Sequence, residues 1–286
     1  MTQVAFVTCN EWPTITDDDR LAADVLGAHG VRVSAAAWDD PSVSWSSFDA
    51  VVIRSTWNYH HEPTAYAAWL RSLASMGCVL WNPAEVVLGN MHKRYLIEWA
   101  ARGVAVVPSH DVPAASGYEL RRLLEERGWH DAVIKPAVSA SADGTWRTSR
   151  AAADADQPRF AQQSRAADLL VQPYLPEVAA QGEWSLLFFA QQFSHAVLKR
   201  PAQGDFRVQG AFGGRFALAA PHPDLIAQAQ AVLSLLDAPV LYARVDGLDI
   251  GGRFVLMELE VNEPRLFLGA SPDAPTRFAH AIMATL

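Results

Sequence analysis

Lysine is nearly missing from this chain. Of the 23 basic residues among 286, only Lys93, Lys135 and Lys199 are lysine. Arginine fills most surface roles, so a retained lysine is a candidate for a place that needs a compact ammonium; the alternative is chance survival in an arginine-biased composition. Cysteine is scarce too. Cys9 and Cys78 both sit in apolar runs, which excludes a disulfide framework and reads as two buried structural thiols in a reducing compartment. No stretch is apolar for long enough to cross a bilayer, and the first residues lack the basic and apolar regions of a signal peptide, so a cytoplasmic protein with no membrane partner is expected. Excess positive charge is absent as well. A formal charge of −8 argues against a large nucleic-acid surface, which would need clustered Lys and Arg to release phosphate counterions.

Several catalytic signatures are also missing. There is no G-x-x-x-x-G-K-[ST] and no G-x-G-x-x-G after a strand, which removes the P-loop and the ordinary dinucleotide fold. There is no H-E-x-x-H and no Cys/His set at metal spacing; His60 and His61 are adjacent, which points their rings to different faces on a regular element. A G-x-S-x-G nucleophile elbow is absent.

What is present is a chain half hydrophobic and long enough for two or three packed subdomains. Apolar runs at Val4–Cys9, Val31–Ala37 and Phe48–Arg54 alternate with helical patterns at Asp17–His29 and Pro63–Met76, an α/β layer that closes with the strand Cys78–Trp81 near residue 89. The polar and aromatic loop Thr56–His61 leaves a strand end, where ligands often bind, although an aromatic packing loop would look the same. Lys93 is expected on the next helix, and Leu120–Arg127 forms another. Ala132–Lys135 is a strand stopped by Pro136, followed by a flap of small and polar residues over 136–150. From Gly182 onward, long strands at Trp184–Phe189, His195–Arg200, Arg215–Leu218, Leu241–Asp249 and Phe254–Asn262, with a helix at Pro223–Leu236, indicate an antiparallel or mixed sheet. His195, a lone strand histidine, is read as structural in preference to a base.

The chemistry concentrates at strand ends. Strict alternation over Phe254–Asn262 places Leu256, Glu258, Glu260 and Asn262 on one face and Val255, Met257, Leu259 and Val261 on the other; Arg244 and Asp246 share a face of the preceding strand. Asp246, Glu260 and Asn262 could together offer the hard oxygen ligands that Mg²⁺ takes, the competing reading being acids paired with neighbours such as Arg244. Lys135 precedes the small-residue flap, whose backbone N–H groups over Ser139–Thr145 could close on phosphate, with Lys199, Arg200 and Arg207 supplying further positive charge.

In this order the motifs resemble the ATP-grasp superfamily over nearly the whole chain. The run Lys199-Arg200-Pro201-Ala202-Gln203-Gly204-Asp205-Phe206-Arg207 is similar to RimK-like and glutathione-synthetase-like members. Ser194-His195-Ala196-Val197, and Met257-Glu258-Leu259-Glu260 with Pro264 and Leu266-Phe267-Leu268, resemble the branch containing the cycloserine-forming O-ureido-serine cyclo-ligase. The resemblance implies an α/β and α+β chain of three subdomains: an N-terminal layer over 1–89, a central lid over 90–175 and a C-terminal mixed or antiparallel sheet over 176–286. It implies ATP and Mg²⁺ as cofactors, with Lys93, Lys135, Ser139 and Ser141 on phosphates, Gln172, Tyr174 and Leu175 in the adenine hinge, and Glu183 on the ribose. Asp246, Glu260 and Asn262 match the metal ligands, while Lys199, Arg207 and Arg265 attend the reacting groups. A small amino-acid-like carboxylate would be activated as an acyl phosphate for an amine. A peptide or protein tail, or nucleotide binding without turnover, are the alternatives, and a homo-oligomer is left open. Two departures stand out. Pro173 in the hinge has no N–H, so Leu175 would have to donate to adenine, and Arg265 stands where a small residue is expected.

Overall fold

The computed structural model describes residues 1–286 and contains three sheets. Strands β1 (Gln3–Thr8), β2 (Arg32–Ala37), β3 (Ala50–Ile53) and β4 (Leu80–Trp81) form the first, parallel throughout in the order β2-β1-β3-β4. Helix α1 (Asp17–Ala28) buries Ala22 and Leu26 against Val4, Phe6, Ala50 and Val52. Helix α2 (Pro63–Ser75) covers the other face, packing Tyr66, Leu70 and Leu73 with Ala5, Val7, Val51 and Ile53. Burial on both faces explains why β1 and β3 read as unbroken apolar runs. Helix α1 starts where it does because Thr16 Oγ1 accepts from Asp19 N–H at 3.1 Å, with Asp17–Asp19 in its positive first turn. Cys9 is buried as expected, but Cys78 is only partly covered.

Helices α3 (Ala84–Met91) and α4 (Tyr95–Ala101) follow, and Lys93 stands in the break between them instead of on a helix. Its N–H donates to Ala137 O at 2.9 Å in place of a carbonyl one turn back, which ends the helix and aims the side chain at the flap. The second sheet comprises β5 (His110–Val112), β6 (Asp131–Pro136), β7 (Trp146–Ser149) and β8 (Leu169–Pro173), antiparallel in the order β5-β8-β6-β7. Helices α5 (Leu120–Glu126) and α6 (Ala153–Ala166) cover one face through Leu120, Leu123, Leu124 and Phe160. The expected flap over 136–150 is shorter than its small-residue composition suggests: Trp146 pairs with Ile134, so a strand claims its second half and the loop is 137–145.

Helix α7 (Glu177–Ala180) leads into the third sheet, β9 (Glu183–Phe189), β10 (Gln192–Arg200), β11 (Arg215–Leu218), β12 (Tyr242–Ile250) and β13 (Arg253–Glu260), in the antiparallel order β11-β10-β9-β12-β13. Helix α8 (Pro223–Leu233) and α4 cover one face, against Leu186, Phe188, Ala243 and Val245. On the other face Leu187, Phe189, Val197 and Tyr242 pack against Phe278 of helix α9 (Ala274–Met283). Further along that face the same period-two positions carry Glu183, Ser185, Lys199, Arg244 and Asp246, all buried. The apolar half of the face is core, and the polar half is the floor of a cleft.

Strict alternation fails in β13. Asp246 pairs with Glu258 and Gly247 with Leu256, so Met257 is the extra residue of a β-bulge. Leu256 therefore joins Phe254, Leu259 and Val261 in the core, and Met257 turns to the cleft with Glu258 and Glu260, reversing the assignment that period two gives to Leu256 and Met257. The bulge rests on Gly247. A Cβ there would lie 2.5 Å from Phe254 Cζ and 2.7 Å from Val255 O.

Candidate active site

A cleft of 580 Å³ lies between the second and third sheets, and the residues singled out from the sequence as catalytic, nucleotide-binding or metal-binding line it, except Arg200, which ends β10 exposed to solvent and outside the cleft. At its floor Lys199 Nζ stands 2.5 Å from Glu183 Oε1 and 3.0 Å from Asp246 Oδ2. Asp246 also accepts from Ser185 Oγ at 2.6 Å and from Arg244 Nε at 3.1 Å, while Arg244 reaches on to Glu260. Burial alone would raise the Asp246 pKa, but Arg244 and Lys199 hold it at about 2. For Lys199 the balance also favours charge: burial opposes the ammonium, and Asp246 and Glu183 outweigh it.

The wall beside this floor crowds three carboxyl groups, Glu258, Glu260 and Glu263. Glu260, withdrawn from water and facing Asp246 and Glu258 as well as Arg244, is pushed up to about 7. Glu263, desolvated next to Glu260, rises to about 8. Asn262 accepts from Tyr66 Oη at 2.6 Å, and its buried Nδ2 has no partner.

Two lysines face the floor from the flap side. Lys93 Nζ donates to Ser139 O at 2.8 Å and pairs with Glu258 Oε1 at 3.2 Å, tying the base of the flap to β13. Lys135 makes no side-chain hydrogen bond or ion pair within the protein, and burial lowers its pKa. Ser141 lies on the same loop, in a left-handed conformation with φ 53°. In the hinge, Gln172 donates to Ser109 Oγ at 2.9 Å, Arg147 stacks 3.8 Å from the Tyr174 ring centroid, and Leu175 N–H has no acceptor in the protein. That free donor beside Pro173 suits the hydrogen-bonding edge of a base.

At the cleft mouth Arg265 lies over Phe216 and Phe267, 5.0 and 5.3 Å from their ring centroids, and forms no ion pair. Arg207 also lines the cleft, but its guanidinium is held by Asp205, Nη2 to Oδ2 at 2.8 Å, and lies over Phe212. Of the Thr56–His61 loop, Trp57 and Tyr59 reach the cleft wall, whereas Thr56 and Asn58 bond to Tyr66 and to Trp38 and Asp39. His195 is buried away from the cleft, its Nε2 3.0 Å from Leu266 O. The sequence reading passed over Glu258 and Glu263 as site residues. Period two put Glu258 on the right face, and the adjoining Glu260 and Asn262 were the signal for both.

The three sheets, with a carboxylate-and-lysine cleft between the second and third, define an ATP-grasp ligase. Residues 4–82 match the family described as D-cycloserine synthetase DcsG, N-terminal domain. Over 276 residues the chain is 30% identical to the cycloserine biosynthesis protein DcsG of Streptomyces lavendulae, covering 90% of each. The crystal structure of D-cycloserine synthetase DcsG matches with a TM-score of 0.87 at 28% identity over 99% of both chains. D-alanine–D-alanine ligase from Bacillus anthracis, complexed with ATP, matches at 0.71 with 13% identity over 100% of this chain and 97% of that one, a likeness of fold. The chain belongs to the DcsG family of ATP-grasp enzymes and is an ATP-dependent, ADP-forming ligase. No helix is long and apolar enough to cross a membrane.

Proposed function

We propose that this enzyme joins carbon to nitrogen by activating a small amino-acid-like carboxylate as an acyl phosphate, with the amine-type nucleophile in the same molecule, as in closing O-ureido-serine to cycloserine. The observation that carries the small-molecule reading is the cleft itself. Its 580 Å³ falls in the size range of small-molecule sites, and a peptide or protein tail would need a groove open along its length.

The residues have separable tasks. Lys93, Lys135 and the backbone of Ser139 and Ser141 hold phosphates; Gln172, Tyr174 and Leu175 hold the base, and Glu183 the ribose. A substrate carboxylate oxygen attacks the γ-phosphorus and ADP leaves; the nucleophilic nitrogen then attacks the acyl carbon, inorganic phosphate leaves and the nitrogen loses a proton, and with O-ureido-serine the carbamoyl group on that nitrogen is afterwards hydrolysed off by water as carbon dioxide and ammonia to leave cycloserine. Lys199 and Arg244 offset the negative charge that builds up, an effect strengthened by their exclusion from water. Arg207 joins them on exchanging Asp205 for the phosphoryl group, and the unpaired Arg265 orients the substrate through a carboxylate. The hard oxygens of Asp246, Glu260 and Asn262, on a wall where crowded and buried carboxyl groups push Glu260 up to about 7, fit Mg²⁺, which would supply charge neutralisation to the phosphates. The loop 137–145 keeps water from the acyl phosphate.

The test is coupled ADP release over a panel of amino-acid-like carboxylates that includes O-ureido-serine, with products identified by mass spectrometry. Phosphate and a cyclised product are expected in equal amounts with ADP. ADP release with protein tails alone would overturn the reading. In the same assay Glu260→Gln is expected to lose turnover by at least a hundredfold, since a carboxylate is exchanged for an amide that donates into a cation site. Normal turnover by that variant would remove Glu260 from the metal set.

A further inference from the structure

Outside the reaction cleft, one group of side chains has donor chemistry that the ligase reaction does not use. Residues Tyr59–His61 form a single 3₁₀ turn, and that turn undoes the divergence expected of adjacent histidines: the rings of His60 and His61 lie 4.0 Å apart at 42°. Asp143, from the middle of loop 137–145, meets them, with its Oδ2 3.4 Å from His60 Nε2. One ligand atom from each of the three lies within 4.8 Å of the other two.

We propose that His60, His61 and Asp143 form a binding site for a divalent transition-metal ion of the zinc type, which ties loop 137–145 to the turn that carries Tyr59. Both ring nitrogens of His60 are buried without a hydrogen bond, an unmet requirement that a metal ion at Nε2 would satisfy for one of them. The group is open on one side, with the Asp143 side chain 63% exposed against 10% for His60, which gives an ion a way in. Desolvation, with His61 alongside, lowers the His60 pKa and favours the neutral imidazole that binds metal. Two imidazoles and a carboxylate are a familiar three-ligand zinc set, leaving a fourth position for water. Imidazole donors discriminate against Mg²⁺, so the site is chemically separate from the oxygen-only wall of the cleft.

The position gives the site a mechanical consequence. Loop 137–145 brings Ser139 and Ser141 to the cleft, and Tyr59 lines the cleft as well, in one packed cluster with Ala140 of that loop. An ion shared by the loop and the turn would slow the opening of the loop, and with it the exchange of nucleotide.

The experiment is calorimetric titration of zinc into the full-length chain held in saturating magnesium and ADP, with cobalt substitution read by visible absorption. One ion per chain is expected, with the intense visible bands of tetrahedral nitrogen and oxygen coordination. Asp143→Asn and His61→Gln should each weaken zinc binding by about tenfold or more, while melting like the parent in the absence of zinc. Hydrogen exchange over 137–145 should slow with zinc in the parent and not in Asp143→Asn. No zinc binding by the parent chain, or parental affinity in both variants, would overturn the proposal. The cobalt spectrum of the parent decides it even if a variant misfolds.

Discussion

Gly247→Ala tests the bulge that orients the acidic wall. The backbone of Gly247 is not in the left-handed region, so alanine meets no conformational penalty and the cost is steric alone. The new methyl would lie 2.5 Å from Phe254 Cζ and 2.7 Å from Val255 O, where about 3.4 Å or more is needed. Phe254 is buried in the core under α8, and Val255 O is main chain of the paired strand, so neither can yield cheaply. Overpacking of this kind costs about 1–3 kcal/mol, and the involvement of backbone puts Gly247→Ala near the upper end. At roughly 2–4 °C per kcal/mol for a chain of this size, the melting temperature should fall by about 5–10 °C. Because relief comes by shifting β13, Glu258 and Glu260 should move and nucleotide affinity should fall with stability. Gly27→Ala is the matched control: it lies within α1 with open space at the Cβ position, and should stabilise by about 0.5–1 kcal/mol. Scanning calorimetry and nucleotide titration on both variants check this. A Gly247→Ala protein with parental melting temperature and affinity would refute the steric account of the bulge.

Lys199→Met should cost about 3–5 kcal/mol, because it leaves Glu183 and Asp246 buried without their shared cation; urea unfolding measures it, and a loss under 1 kcal/mol would mean that water enters the floor. Asn82→Ala should be similarly severe, at roughly 2–4 kcal/mol, since Asn82 Nδ2 donates to Tyr242 O and Val261 O at 2.8 and 2.7 Å and Oδ1 accepts from Leu241 N at 2.7 Å. Thermal melts of that variant should show the first and third sheets losing their coupling. For pH, the folded-state values of Glu260 and Glu263, about 7 and 8, lie above the ordinary 4.5. The folded chain therefore holds protons that the unfolded chain gives up, so this contribution is complete below pH 4.5 and is lost as pH rises through 7 and 8. Without nucleotide or metal the melting temperature should fall over that interval, and saturating Mg²⁺ should flatten the fall; a metal-free profile that rises instead would contradict the crowding of carboxylates on this wall.

Much of the molecule was legible because its signals are local. Apolar runs and capped helical periods marked β1 to β4, α1 and α2, since strand burial and helix capping are written within a few residues. The scarcity of lysine pointed to Lys93, Lys135 and Lys199, and all three line the cleft. What failed did so for non-local reasons. The helix expected at Lys93 is broken by a carbonyl from residue 137, and the composition of 136–150 hid a strand that exists only by pairing with β6.

The sequence by itself determined the element types of the first sheet with α1 and α2, the long strands of the third sheet, and the set of charged residues at strand ends, because period and punctuation are properties of neighbours in the chain. Only the tertiary structure decided which side of β13 faces the cleft, that Arg244 is held between Asp246 and Glu260, that Arg265 stays unpaired, and that His60 and His61 meet Asp143. Each of these depends on a register shift, a turn, or a contact between segments apart in the chain, and side-chain periodicity carries no information about such contacts.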